Sequence, residues 1–337
     1  MAQSRRSSKR PTLKDVAARA GVTVTTVSRV LNKRGSLSEK TIAKVYAAIQ
    51  EIGYRPNVSA RTLQGKQSRL IGLIFPTTQN PFYGDMVYEL ERELYRRGYK
   101  ALLCNSMNDV DQEQGFLDLL LANQADGMII GSHNTGMSIY RNSNLPIVNI
   151  DRITTKSIPV VSSDNYQGGR IATEALWTRG ARRIGHINSL EDESAPYSYE
   201  RRLGYSDVME ERGCAPQVFP IDWDEPYETK IKDLAAVLDQ GADLDGLFIA
   251  DDMTALLAKA MCAHRHLDID IVGYDGSDTV RRFVPDLPTV AQPIAGMARK
   301  AVDVLIREID GDFSVSGARY KLPVSFLPER SIETLRE

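Results

Sequence analysis

Ten side chains in the chain's larger, acidic part could together grip a small polyol. They are Asn80, Phe82, Tyr83, Asp151, Arg152, Arg201, Trp223, Asp251, Asp275 and Gln292. Each falls in a short polar stretch such as "QNPFYGD", "IDR", "IADD" or "GYDG", and several directly follow an apolar run. Flat aromatic faces stack on the C–H faces of a sugar ring, whereas each hydroxyl both donates and accepts hydrogen bonds. Carboxylates and guanidinium forks bind vicinal hydroxyls with charge-assisted bonds. Three carboxylates against two arginines disfavour a phosphorylated ligand and favour a neutral one.

A second constellation lies near the amino end. In "VTVTTVSRVLN", Thr25, Ser28, Arg29 and Asn32 recur at i, i+3, i+4 and i+7, with Val27, Val30 and Leu31 on the other side. That is one face of a helix despite the Val/Thr composition. Short hydroxyls let a helix backbone approach a DNA groove, and a long arginine reaches guanine O6 and N7.

The elements needed to position these groups differ between the two regions. "LKDVAARA" reads as a short amphipathic helix ended by Gly21, Thr23 as the cap of the reader helix, and "SEKTIAKVYAAIQEIG" as a third helix capped by Ser38 and stopped at Gly53. Ile42, Val45, Tyr46 and Ile49 form its apolar face. Two short helices joined by a glycine turn, then a third, make a helix-turn-helix arrangement. After Ser68 the pattern becomes strand, helix, strand: "RLIGLIF", "KALLCNS", "DGMIIGS" and "LPIVNID", then, after "IPVVSSDNYQGG", "RRIGHINS", "DGLFIAD" and "DIVGYD". Two such runs imply two α/β lobes with parallel sheets and a cleft at the strands' carboxyl ends.

Charge separates the regions further. Residues 1–66 hold 14 Lys and Arg against 3 Asp and Glu, a balance of +11, although all 337 residues sum to −2. A basic head on an acidic body points to a polyanion partner for the head. Cys104, Cys214 and Cys262 show no CxxC spacing, so buried free thiols are expected, with neither a disulfide framework nor zinc. The four histidines show no ligand spacing, and no nucleotide-binding glycine motif or nucleophile elbow occurs. No catalytic residue, metal or cofactor is expected. The basic first ten residues lack the apolar run of a secretion signal, and no stretch is long and apolar enough for a membrane span, so a cytoplasmic location is expected.

"TLKDVAARAGVTVTTVSRVLN" and "LSEKTIAKVYAAIQEIGYRPN" closely resemble the DNA-binding headpiece of the LacI/GalR family of bacterial repressors, from Thr12 to Asn57. The resemblance implies Val24, Thr25 and Arg29 as base readers, and Thr12, Ser28 and Asn32 as phosphate contacts or supports. In "NVSARTL" it implies a hinge helix that folds on operator DNA, with Leu63 wedging a minor-groove step beside Ala60. From Leu70 to about Leu327 the chain resembles the periplasmic sugar-binding (type I) fold that this family carries as effector domain. The ten polyol-binding candidates resemble the ribose-binding-protein pocket position by position, but Tyr83 and Trp223 stand where phenylalanine is usual, and Asp251 where asparagine is.

The resulting division is a basic tail (1–10), a helix-turn-helix domain (11–57), a hinge and linker (58–69), an N-terminal lobe (70–163 with 294–323) and a C-terminal lobe (164–293 with 324–337). Lobe crossings are expected near Ser162–Asn165, Gln292–Ile294 and Pro323. The function expected is a sugar-controlled, operator-binding repressor, most like the ribose and sucrose operon branch. It is expected to act as a homodimer on a near-palindromic operator, without the tetramer-forming tail of some relatives, and to be released by a ribose-, fructose- or sucrose-like effector. The rival readings are a sugar-processing enzyme, or a corepressor-type regulator with a purine or phosphosugar ligand.

Overall fold

The computed structural model describes residues 11–31, 35–54, 67–134, 137, 140, 145–189, 196–222, 225–241 and 243–330. Asn32, Ala60, Leu63 and Trp223 lie outside the described residues, as do the 1–10 tail and most of the hinge. The chain divides into two compact units, residues 1–68 and 69–337.

In the first unit, helix α1 spans Leu13–Ala20, α2 Val24–Leu31 and α3 Glu39–Ile52. Gly21 and Gly53, both at φ 63°, supply the left-handed turns that end α1 and α3. The Thr23 and Ser38 hydroxyls accept from the backbone N–H of Thr26 (3.1 Å) and Thr41 (3.3 Å), so both capping residues act where the spacing predicts. Val16, Val27, Val30, Val45 and Ala48 form the buried centre. Tyr46 departs from expectation: it is 43% exposed, and Ile42, Ile49 and Ile52 complete the apolar face of α3 without it.

The second unit contains two six-stranded sheets. The first runs β11-β5-β4-β3-β1-β2 and is parallel throughout. Its strands are β1 (Leu70–Phe75), β2 (Lys100–Asn105), β3 (Gly127–Ile130), β4 (Ile147–Ile150), β5 (Val160–Ser163) and β11 (Arg319–Leu322). The second runs β12-β10-β9-β8-β6-β7. It comprises β6 (Ile184–Asn188), β7 (Gln217–Pro220), β8 (Gly246–Ile249), β9 (Asp270–Asp275), β10 (Thr289–Ala291) and β12 (Ser325–Leu327). β12 pairs antiparallel with β10, so this sheet is parallel except at one edge.

Helices cover both faces of each sheet, which is why the strands read as continuous apolar runs. In the first lobe Ile71, Leu73 and Phe75 pack against α4 (Pro81–Arg96) and α11 (Ile294–Ile309), while Ile74 packs with Leu117 and Leu120 of α5 (Val110–Ala122). In the second, Phe248 faces α6 (Asn165–Arg179) and α7 (Pro196–Glu211), while Leu247 and Ile249 face α8 (Tyr227–Gln240) and α9 (Asp252–Arg265). A short helix, α10 (Asp278–Phe283), follows β9. The chain passes between sheets after Ser163, between Ala291 and Ile294, and between Leu322 and Ser325.

α6 and α7 cross at backbone contact. A Cβ on Gly169 would lie 2.1 Å from the Arg201 carbonyl oxygen, and one on Gly204 2.1 Å from that of Tyr166. Only glycine fits at either position, and the crossing fixes the turn of α7 that carries Arg201.

Candidate functional site

The headpiece presents the expected reader face. Val24, Thr25 and Arg29 are exposed on α2 and Ser28 is half-buried, while Val27 and Val30 are buried beneath them. Thr12 is exposed, and its hydroxyl donates to the Asp15 carboxylate at 2.7 Å, which gives it a capping role at the start of α1.

In the larger unit, one cleft between the sheets is lined by nine of the ten candidates: Asn80, Phe82, Tyr83, Asp151, Arg152, Arg201, Asp251, Asp275 and Gln292. It encloses about 750 Å³ of atom-free space, solvent at its mouth included.

Strand ends and helix starts place the side chains. Asn80 caps α4 through its Oδ1, which accepts from Phe82 N at 2.9 Å and leaves its amide N–H groups for other partners. Asp151 directly follows β4 and Asp275 ends β9, with φ of 59° and 112°. Positive φ strains a residue bearing a Cβ, and such strain collects at functional sites. Asp251 caps α9, accepting from Thr254 N at 2.7 Å. The adjacent Asp252 lies buried, accepting from Thr289 Oγ1 at 2.6 Å and Gly276 N at 2.8 Å.

Arg201 is 7% exposed. Its Nε donates to Asn165 Oδ1 and its Nη1 to the Ala250 carbonyl, both at 2.8 Å, and its guanidinium lies 3.7 Å over the Tyr274 ring. Its neighbour Glu200 pairs with Lys321 instead. Ser163 Oγ donates to Gln292 Oε1 and Gln292 Nε2 to Asp275 Oδ1, each at 2.8 Å, so a hydrogen-bonded chain joins β5 of one sheet to β9 of the other.

Burial sets the charges. It pushes the Asp151 carboxyl up to about 6, opposed by Arg201. It holds Asp275 well above the carboxylate range, again opposed by Arg201 and reinforced by Asp252 and Asp251. Buried Asp252 rises to about 7. Asp151 Oδ1 and Thr254 Oγ1, buried polar atoms of lining residues, have no hydrogen-bond partner among the described residues. Such atoms are rare in folded proteins and fit a ligand that completes them.

Sequence reasoning missed His133, Asn188, Tyr197 and Ser198, which also line the cleft. His133 and Asn188 sit at the carboxyl ends of β3 and β6, the same signal that marks Asp151 and Asp275. Among the described residues no cluster of metal-ligating side chains occurs, and no helix is long and apolar enough to cross a membrane. The cysteines are free, with Cys104 and Cys262 buried and Cys214 half-buried.

Comparison with known proteins decides the family. Residues 12–57 match the family model for bacterial regulatory proteins of the lacI family, and residues 173–332 that of a periplasmic binding protein-like domain. The sucrose operon repressor of Lactococcus lactis subsp. lactis is 42% identical over 312 residues, 93% of this chain and 97% of its own. The chain belongs to the LacI family. This LacI-family chain is a DNA-binding transcription repressor, as its relatives are, and not an enzyme. Among solved structures it is similar to the lac repressor dimer bound to operator and the anti-inducer ONPF (26% identity, TM-score 0.78, 95% of this chain and 98% of that one). It is also similar to a periplasmic binding protein/LacI transcriptional regulator from Alkaliphilus metalliredigens complexed with D-xylulofuranose (27%, TM-score 0.69, 78% and 98%).

Proposed function

We propose that a small neutral sugar, of the ribose, fructose or sucrose type, occupies the interlobe cleft and releases the repressor from its operator. The observation that carries this reading is the cleft itself. Aromatic walls, two buried guanidinium groups, two aspartates at positive φ and orphaned polar atoms converge on one cleft. Three lining carboxylates against two guanidinium groups disfavour a phosphorylated ligand, and the sugar named with the Alkaliphilus structure and the sucrose operon of the Lactococcus relative point the same way.

The roles follow residue by residue. Asn80, Asp151, Arg152, Arg201, Asp251, Asp275 and Gln292 bond hydroxyls; Phe82, Tyr83 and Trp223 wall the ring. Val24, Thr25 and Arg29 read bases, with Thr12, Ser28 and Asn32 on or near phosphate, and Ala60 and Leu63 in the minor groove. The domain limits are those given above, and the active form is a cytoplasmic homodimer on a near-palindrome. Sugar and operator favour different relative postures of the two lobes, so each weakens binding of the other, as linkage requires.

Operator binding followed by fluorescence anisotropy, titrated with D-ribose, D-fructose, sucrose and their phosphates, tests this. Release by a parent sugar is expected. Tighter binding of a sugar phosphate than of its parent, measured by calorimetry, overturns the neutral-ligand reading.

A further inference from the structure

Tyr83 stands where the resemblance implies phenylalanine, and the structure shows what its hydroxyl meets. Tyr83 Oη lies 2.8 Å from His133 Nε2, and the rings meet edge-on at 6.1 Å with an interplanar angle of 67°. Both residues line the cleft.

His133 is aimed from behind. Glu113 on α5 is fully buried, and its carboxyl accepts from Ser132 Oγ, from Asn134 Nδ2 (2.8 Å) and from Tyr140 Oη. One carboxyl thus holds the residues on both sides of His133, whose own side chain lines the cleft. The Arg152 guanidinium fixes the backbone there as well, donating from Nη1 to the His133 carbonyl at 2.8 Å.

We propose that Tyr83 and His133 form a specificity-determining pair that reads one hydroxyl of the bound sugar, with Glu113 as the positioning residue that aims it. The inference rests on the reading of the cleft as a sugar site and adds what selects among sugars. Burial, then Arg152, holds the imidazole well below the usual histidine range, so it is neutral across physiological pH. A tyrosine hydroxyl carries one proton and two lone pairs, and one bond to an imidazole does not exhaust it. If His133 Nε2 accepts, the tyrosine oxygen accepts from the ligand; if Nε2–H donates, the tyrosine proton points to the ligand. A sugar hydroxyl, which both donates and accepts, satisfies either arrangement. A C–H at that place satisfies neither, and a phosphate finds no positive charge on the pair.

The test uses the full chain and calorimetry. Whichever of D-fructose, D-ribose and sucrose binds most tightly is compared with its monodeoxy analogues, on wild type, Tyr83→Phe, Glu113→Gln and Glu113→Ala. On wild type one deoxy analogue is expected to bind about tenfold more weakly than the parent, the loss of a single hydrogen bond. In Tyr83→Phe the parent drops to the level of that analogue, whose own affinity is unchanged, so discrimination at that one hydroxyl disappears. Glu113→Ala erodes the same discrimination, and Glu113→Gln, which keeps the side-chain volume, erodes it less. Discrimination at that hydroxyl that is equal in wild type and Tyr83→Phe overturns the proposal, as does a wild type that discriminates against no analogue. Sugar-dependent release of wild-type protein from operator tests the underlying reading separately, and it can succeed while the pair fails.

Discussion

The reader helix and the effector cleft solve opposite problems. The α2 face keeps Val24, Thr25 and Arg29 exposed over an apolar base, and the helix is built from eight consecutive residues. The cleft buries its working side chains: Arg152, Arg201, Asp275 and Gln292 are all 5–7% exposed, and they come from sites as much as 140 positions apart. A surface that meets DNA can leave its hydrogen-bonding groups to water until contact. A slot that holds a small polyol must already have withdrawn them from water, and it does so at the cost of strained backbone and displaced pKa values. Recognition of a long polyanion needs little preorganisation in the free protein, whereas recognition of a small neutral molecule needs a great deal.

The contrast can be broken first at Arg201. Arg201→Met removes the donor to Asn165 and Ala250 and leaves the buried aspartates uncompensated. Loss of about 3 kcal/mol of stability in urea unfolding is expected, with sugar binding abolished. A variant as stable as wild type would show that the cleft is less preorganised than its burial implies. Next, Arg29→Ala should lose about 1–3 kcal/mol of affinity for specific operator and keep its nonspecific DNA affinity, with folding unchanged. An equal loss on random DNA would reduce Arg29 to a phosphate contact. Capping comes next: Thr23→Ala should cost about 1 kcal/mol of headpiece stability, read as a lower melting point.

The last test reads a slope. Asp252 rises from 3.8 to about 7 on folding, so the native state holds a proton that the unfolded chain has released. Its penalty is absent below the unfolded value, grows as pH rises, and is complete above about 7. Asp252→Asn should therefore gain stability relative to wild type between about pH 5 and pH 8, and a constant difference across that range would remove the burial argument.

What could be read in the sequence follows the same contrast. The headpiece depends on contacts close along the chain, so caps at Thr23 and Ser38 and turns at Gly21 and Gly53 are visible as residue types. Among the described headpiece residues Tyr46 misleads, because an aromatic at helical spacing looks like core. In the cleft, nine lining residues are visible in the sequence by type, but not the hydrogen bonds that give them their roles. Adjacent Asp251 and Asp252 illustrate the limit: one caps and one is buried, and a single step in register decides which. Strands β7, β10, β11 and β12 escaped notice because three or four residues at or near a sheet edge carry too little periodic signal.

The glycine crossing of α6 and α7 bears on how a mutational survey of this repressor would look. With no clearance at Gly169 or Gly204, even a methyl group must lever α7 outward, and Arg201 rides on that lever. Substitutions there should score as non-inducible alleles, indistinguishable in a reporter screen from loss of a sugar contact. Residues that never meet the effector would then populate the genetic map of its site.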